Sequence, residues 1–134
     1  MSGTPGTGKT KAAKLIAKKT KFKYIDLGKE IKKNKIYEYY DKQRKTYVVD
    51  EKKFIKFVLS IIKESKKNLV LDSHLSHLIP RRYVSLCIVT KCELKILRKR
   101  LEKRKYNKLK IKENVDAELF NVCLDEAVML RHNV

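Results

Sequence analysis

Ten residues at the head of the chain, "MSGTPGTGKT", gather three glycines, a lysine and a terminal hydroxyl into one short stretch. Glycine reaches backbone conformations that other residues avoid, so Gly3, Gly6 and Gly8 can turn successive N–H groups toward one point. That point suits an anion. A helix starting directly behind would add the partial positive charge of its N-terminus. Lys9 supplies a mobile cation and Thr10 a hydroxyl suited to a divalent metal. The pattern G-x-x-x-x-G-K-[ST] is therefore a phosphate-binding loop of the Walker A type, in which the lysine reaches the β- and γ-phosphates and the hydroxyl sits on Mg²⁺. An idle glycine-rich turn is the bland alternative. It leaves unexplained why Lys11–Thr20, rich in Ala and Leu and free of breakers, follows at once as a helix.

A second chemical group lies far along the chain. The apolar run "NLVLD" ends in Asp72, with Ser73 and His74 directly after it. An acid at the carboxyl end of a parallel strand, beside a phosphate loop, is placed to hold Mg²⁺, often through water. His74 lies past the strand end, where an imidazole could orient a water attacking the γ-phosphate, with hydrolysis falling as pH drops through the range near 6.5. Asp72, His74 and His77 could also be drawn as a metal triad. No further ligand has suitable spacing, however, and Mg²⁺ prefers oxygen. Arg100 and Arg104 are four apart on a helix, either a solvated face or a pair of charges for phosphates.

These groups need a frame. "FKYID" (22–26) reads as a short strand, 28–35 as a short basic helix, and 35–49 as a polar, Tyr-rich segment. Asp50 is placed to cap a helix carrying Phe54, Phe57, Val58, Ile61 and Ile62 at helical spacing. "VSLCIVT" (84–90) reads as a further strand, Leu94, Leu97 and Leu101 mark a helix, and a last helix is expected from about Glu113 with Val115, Leu119, Val122, Cys123 and Leu130 on one face. Strands alternating with helices predict an α/β fold with a doubly wound parallel sheet, one domain over 1–134. A phosphate loop of this kind is aimed by a buried strand in front of it, yet only Met1 and Ser2 precede Gly3. An empty slot there would leave ladder groups of both neighbours unpaired. We therefore expect the 134 residues to lack that first strand, and a closing strand and helix at the other end.

Composition narrows the class. Lys plus Arg outnumber Asp plus Glu by 34 to 15, a net charge of +19, which attracts polyanions such as RNA and nucleotides. Hydrophobic residues at 43% argue against disorder. Cys87, Cys92 and Cys123 form no C-x-x-C pair and read as reduced thiols. No apolar run approaches the roughly 20 residues of a membrane span.

Taken in order, "SGTPGTGKT", "KYIDLG", "LDSHLSHLIPRRY", "RLEKRKY" and "ENVDAELFNVCLDEA" resemble successive blocks of the CINAP-type adenylate kinases, also called adenylate kinase isoenzyme six. The resemblance covers nearly the whole chain, and its D-x-H block with the downstream Pro is more specific than the loop alone. It implies a P-loop NTPase of the nucleoside monophosphate kinase type, converting ATP and AMP to two ADP with broad monophosphate specificity, and an ATPase. It further implies a role in small ribosomal subunit maturation and rRNA processing, through ribosomal protein uS11 and the subunit precursor, in the cytoplasm or, in a eukaryote, the nucleus. An alternative under the same resemblance is an assembly ATPase with little physiological kinase role. By resemblance, Gly6, Gly8, Lys9, Thr10 and Lys11 form the ATP loop, with Lys11 standing where a Thr is common. The region from Asp26 to about Val49, including Gly28 and Lys32, would bind the monophosphate, Lys32 replacing an Arg with a point charge. Arg100 and Arg104 occupy the R-x-x-x-R-x-Y block, Arg104 opening a short lid from Lys103 to about Glu113. That lid has no cysteine, so Mg²⁺ with ATP is the expected metal and zinc is not.

Overall fold

The computed structural model describes residues 1–134. Behind the glycine loop, Lys9–Thr20 forms α1, as its run of helix formers requires. The chain then passes through β1 (Lys23–Asp26), α2 (Leu27–Lys33), β2 (Tyr39–Asp41), β3 (Thr46–Val48), α3 (Glu51–Glu64) and β4 (Leu69–Asp72). Two short 3₁₀ turns, Ser76–Leu78 and Arg81–Tyr83, lead to α4 (Leu94–Lys103), α5 (Lys108–Leu119) and α6 (Val122–Met129).

β1 and β4 are parallel neighbours, with Tyr24 opposite Val70 and Asp26 opposite Asp72. Side chains alternate across a strand, and the packing follows that alternation. Ile25, Leu69 and Leu71 pack in the cluster of Leu27 and Ile31 from α2, Phe54 and Val58 from α3, and Ile79 just after the first 3₁₀ turn. Tyr24 and Val70 face the other way and meet Ala13 and Ala17 of α1. The two alanines bring α1 close to β4. Helices thus cover both faces of a parallel pair, the doubly wound arrangement expected. Asp50 accepts a hydrogen bond from the Lys53 N–H at 2.9 Å, capping α3, and α3 seats Phe54 and Val58 fully buried.

Met1 and Ser2 occupy the slot between β4 and the segment near Val89. The Met1 amino group donates to Leu71 O at 2.8 Å, and Ser73 N–H donates to Met1 O at 3.3 Å. On the other side Ser2 N–H donates to Ile88 O at 2.8 Å and Thr90 N–H to Ser2 O at 3.0 Å, a parallel bridge. The strand expected over 84–90 is reduced to this bridge at Val89. The reason is pairing: Cys87 bonds Asn133 O, Ile88 and Thr90 bond Ser2, and no second strand runs beside the rest. An apolar groove of about 560 Å³ lies between β4 and this segment, lined by Leu69, Leu71, Ile79, Val84, Cys87 and Ile88 among others.

Two further expectations are corrected. The Tyr-rich segment contains a hairpin, β2 against β3, with Tyr47 packing on Tyr37 at 4.5 Å and Tyr40 at 5.0 Å between ring centroids. Its turn carries no glycine; Lys45 takes the left-handed conformation, φ 48°. The helix expected from about Glu113 begins earlier, at Lys108, where Asn107 caps it through Lys110 N–H at 2.9 Å. It also breaks: Asn121, at φ 54°, separates α5 from α6, so Val122, Cys123 and Leu130 do not continue the face of Val115 and Leu119.

Candidate active site

The site gathers at the carboxyl ends of β1 and β4, over the N-terminus of α1. Gly8, at φ 95°, precedes the first helical residue, and a Cβ there would meet nothing within 4 Å, leaving open space over the helix end for an anion. Gly6, at φ 97°, lies instead against α4, where a Cβ would stand 2.8 Å from Leu97 Cδ1 and 3.2 Å from Leu101 Cδ2. Gly3 places its backbone against Thr90. Hydroxyls hold the loop in shape. Thr7 Oγ1 donates to Thr4 O at 2.8 Å and pairs with Thr90 Oγ1 at 2.7 Å.

Lys9 and Asp72 meet across this space, Nζ to Oδ1 3.8 Å, too long for a hydrogen bond. The Asp72 carboxylate is 3% exposed, and its Oδ1 has no hydrogen-bond partner. A buried charged oxygen left in this way is costly unless a cation or its water completes it. Thr10 stands at the same corner, near the Tyr24 phenol that also reaches Asp72. A carboxylate oxygen and a hydroxyl are a hard, all-oxygen donor pair, which fits Mg²⁺.

His74 follows at the rim. Its side chain is exposed, and its backbone carbonyl accepts the Ser2 hydroxyl at 3.2 Å. Partial desolvation first, then Lys9 and, after it, His77 and Lys110 nearby, push its pKa below the usual imidazole range. His77 is a different case. Buried, it pairs with Ser2 Oγ at 2.7 Å through Nδ1 and with Glu126 Oε2 at 2.6 Å through Nε2, so both ring nitrogens are committed and neither faces a metal shared with Asp72. The serine of this Ser–His–Glu chain is fully buried, which denies it a substrate.

Arg100 reaches the loop from α4, donating from Nη1 to Gly6 O at 3.0 Å. Arg104 caps α4 with its backbone, and its exposed side chain makes no hydrogen bond or ion pair within the protein. Lys11 is exposed on α1. Asp26 accepts from Lys29 N–H at 3.0 Å and caps α2; Gly28 lies in the first turn, where a Cβ would come 3.3 Å from Asp26 Oδ1. Lys32 Nζ stands 5.3 Å over the Tyr47 ring, which ties α2 to the hairpin. Residues 104–107 form the turn between α4 and α5, and 108–113 lie in α5 itself.

Three features had no local signature. Tyr24 donates to Asp72 Oδ2 at 2.9 Å. Glu118, buried in α5, accepts from Thr4 Oγ1 at 2.7 Å and Cys92 N–H at 2.8 Å, bracing the loop from 114 residues away. The hairpin tip also clasps α5. Arg44 forks onto Glu113 (Nε at 2.9 and 3.1 Å) and pairs with Asp41 at 3.1 Å, while Lys110 Nζ donates to Lys45 O at 3.1 Å. Only the alternation of Tyr and Val around a Lys-rich turn could have suggested the hairpin.

A glycine loop on a helix N-terminus, a lysine and a strand-end aspartate on a doubly wound sheet define a P-loop nucleotide-binding enzyme. The AAA domain family (AAA_18) matches residues 1–121. A protein of Methanocaldococcus jannaschii named "Putative adenylate kinase" is 40% identical over 127 residues, covering 95% of this chain and 70% of that protein. Proteins named "Adenylate kinase isoenzyme 6 homolog" are 38% identical in Dictyostelium discoideum and 34% in Caenorhabditis elegans, each over 127 residues, 95% of this chain and 71% and 70% of theirs. The chain belongs to the adenylate kinase isoenzyme 6 family, a group of nucleoside monophosphate kinase-like P-loop enzymes. No helix of the structure is long and apolar enough to cross a membrane.

Proposed function

We propose that the chain transfers the γ-phosphoryl group of MgATP to AMP or a related monophosphate, giving two nucleoside diphosphates, and also hydrolyses ATP. The observation that carries this reading is the buried Asp72 oxygen without a hydrogen bond, facing Lys9 at 3.8 Å beside an open helix N-terminus. Phosphoryl transfer asks little covalent chemistry of a protein; it asks that two anions be aligned and the moving charge be neutralised. Thr10 and Asp72 would hold Mg²⁺, Asp72 directly or through a water. When bound, that ion neutralises charge on the phosphate oxygens. Lys9 would follow the transferred group, and Arg100 from α4 and Arg104 from the turn behind it would close on it. Asp26, Gly28 and Lys32 would bind the acceptor monophosphate, as the resemblance to the family implies. His74 would orient a water for hydrolysis, a step that transfer to AMP does not need.

A second reading is an ATP-driven assembly factor for the small ribosomal subunit, gripping ribosomal protein uS11 and the rRNA precursor. The net charge of +19 favours it, since a kinase of free nucleotides gains nothing from attraction to RNA. The two readings separate in one coupled assay, ADP formation from ATP with and without AMP. A large increase on adding AMP supports the kinase. A rate indifferent to AMP supports the switch, and no ADP in either arm overturns both.

A further inference from the structure

We propose that Tyr24 is a positioning residue for Asp72, holding the carboxylate so that a single oxygen, Oδ1, is presented to a divalent cation. The proposal rests on the nucleotide-site reading above and deepens it. β1 and β4 run parallel with Tyr24 opposite Val70, so Tyr24 and Asp72 share the face that α1 covers. The phenol donates to Oδ2 at 2.9 Å, spending one of the two carboxylate oxygens on protein. The other, Oδ1, is buried and without a hydrogen bond.

Lys9 shows why the arrangement matters. Its Nζ stands 3.8 Å from Oδ1, within ion-pair range yet short of a hydrogen bond. A carboxylate free to turn about its last torsion could swing an oxygen onto Lys9, and the lysine would then be drawn away from phosphate. The phenol opposes that turn by holding Oδ2. Lys14 Nζ, from α1, stands 5.6 Å over its ring.

The test is Tyr24→Phe in the full chain, which keeps the ring and removes the donor. Binding of a fluorescent ADP analogue is titrated with Mg²⁺, alongside ADP formation from ATP and AMP. Partners that orient a metal-binding group typically change metal affinity by roughly 10- to 100-fold. We expect the Mg²⁺ concentration for half-maximal binding to rise about tenfold, while analogue binding without Mg²⁺ stays as in the wild type. In an Asp72→Asn background the same substitution should add no further shift, because the group it positions is gone. An unchanged Mg²⁺ requirement in Tyr24→Phe overturns the proposal, as does an equal loss of binding at every Mg²⁺ concentration. Wild-type chain that binds the analogue with no response to Mg²⁺ overturns the reading of the whole site, and this inference with it.

Discussion

At the scale of single residues, Lys9 and His74 make separable demands. Lys9 is a charge that acts on the transferred group, so Lys9→Ala should lower transfer and hydrolysis alike, by more than roughly 10²-fold if the charge is used in the transition state. A variant with more than half the wild-type turnover would remove Lys9 from the site. Asp72→Asn should likewise depress both reactions. His74→Ala should reduce hydrolysis more than transfer, because only hydrolysis needs an oriented water. The pH profile follows from the direction of the shift. A folded pKa below 6.5 keeps the imidazole neutral as pH falls through 6.5, so hydrolysis should hold there and decline only at lower pH. A midpoint at or above 6.5 in the wild type, or equal losses in both reactions for His74→Ala, would reduce His74 to a structural residue.

At the scale of elements, the contact to probe is the clasp between the β2–β3 hairpin and α5. Arg44 joins Asp41 of the hairpin to Glu113, and its side chain is 44% exposed. Exposed pairs of this kind contribute little to global stability and are screened by salt. Their effect here is on which parts move together. Arg44→Ala should leave the melting temperature almost unchanged, yet raise amide exchange in 39–48 and in the first turns of α5 together. High salt should do the same to the wild type. Faster exchange in the hairpin alone would mean that the clasp does not couple the two. Behind it, Leu97 and Leu101 of α4 pack on Ile111 and Val115 of α5, and the same two leucines touch Gly6. Movement of α4 and α5 is thereby linked to the loop, with Arg100 and Glu118 as polar ties on either side.

For the molecule as a whole, charge is the dominant feature. With 34 basic against 15 acidic residues, polyanions should bind by releasing counterions. Single-stranded RNA of arbitrary sequence should therefore bind at about 50 mM salt and lose affinity steeply toward about 200 mM, with a linear slope of log affinity against log salt. Fluorescence anisotropy of a labelled oligonucleotide reads this directly. Affinity that ignores salt, or absence of binding at low salt, would count against an RNA-facing role and favour the metabolic kinase.

Much of the site was legible locally. The loop, the helix behind it, the cap at Asp50 and the strand-end Asp72 are written in spacings of a few residues, which covalent geometry and backbone preference turn into structure without outside help. Short apolar runs likewise marked β1 and β4, which are covered on both faces, and helical periodicity marked α3, which buries one. Other outcomes waited on the tertiary fold. The Tyr24 bond to Asp72, the Glu118 brace on Thr4 and the Arg44 fork on Glu113 join residues 48, 114 and 69 apart, and no local pattern encodes which face will meet which. Residues 84–90 show the reverse: their apolar run reads as a strand, but a strand exists only where a neighbour completes its hydrogen bonds, and here Ser2 completes them at Val89 alone.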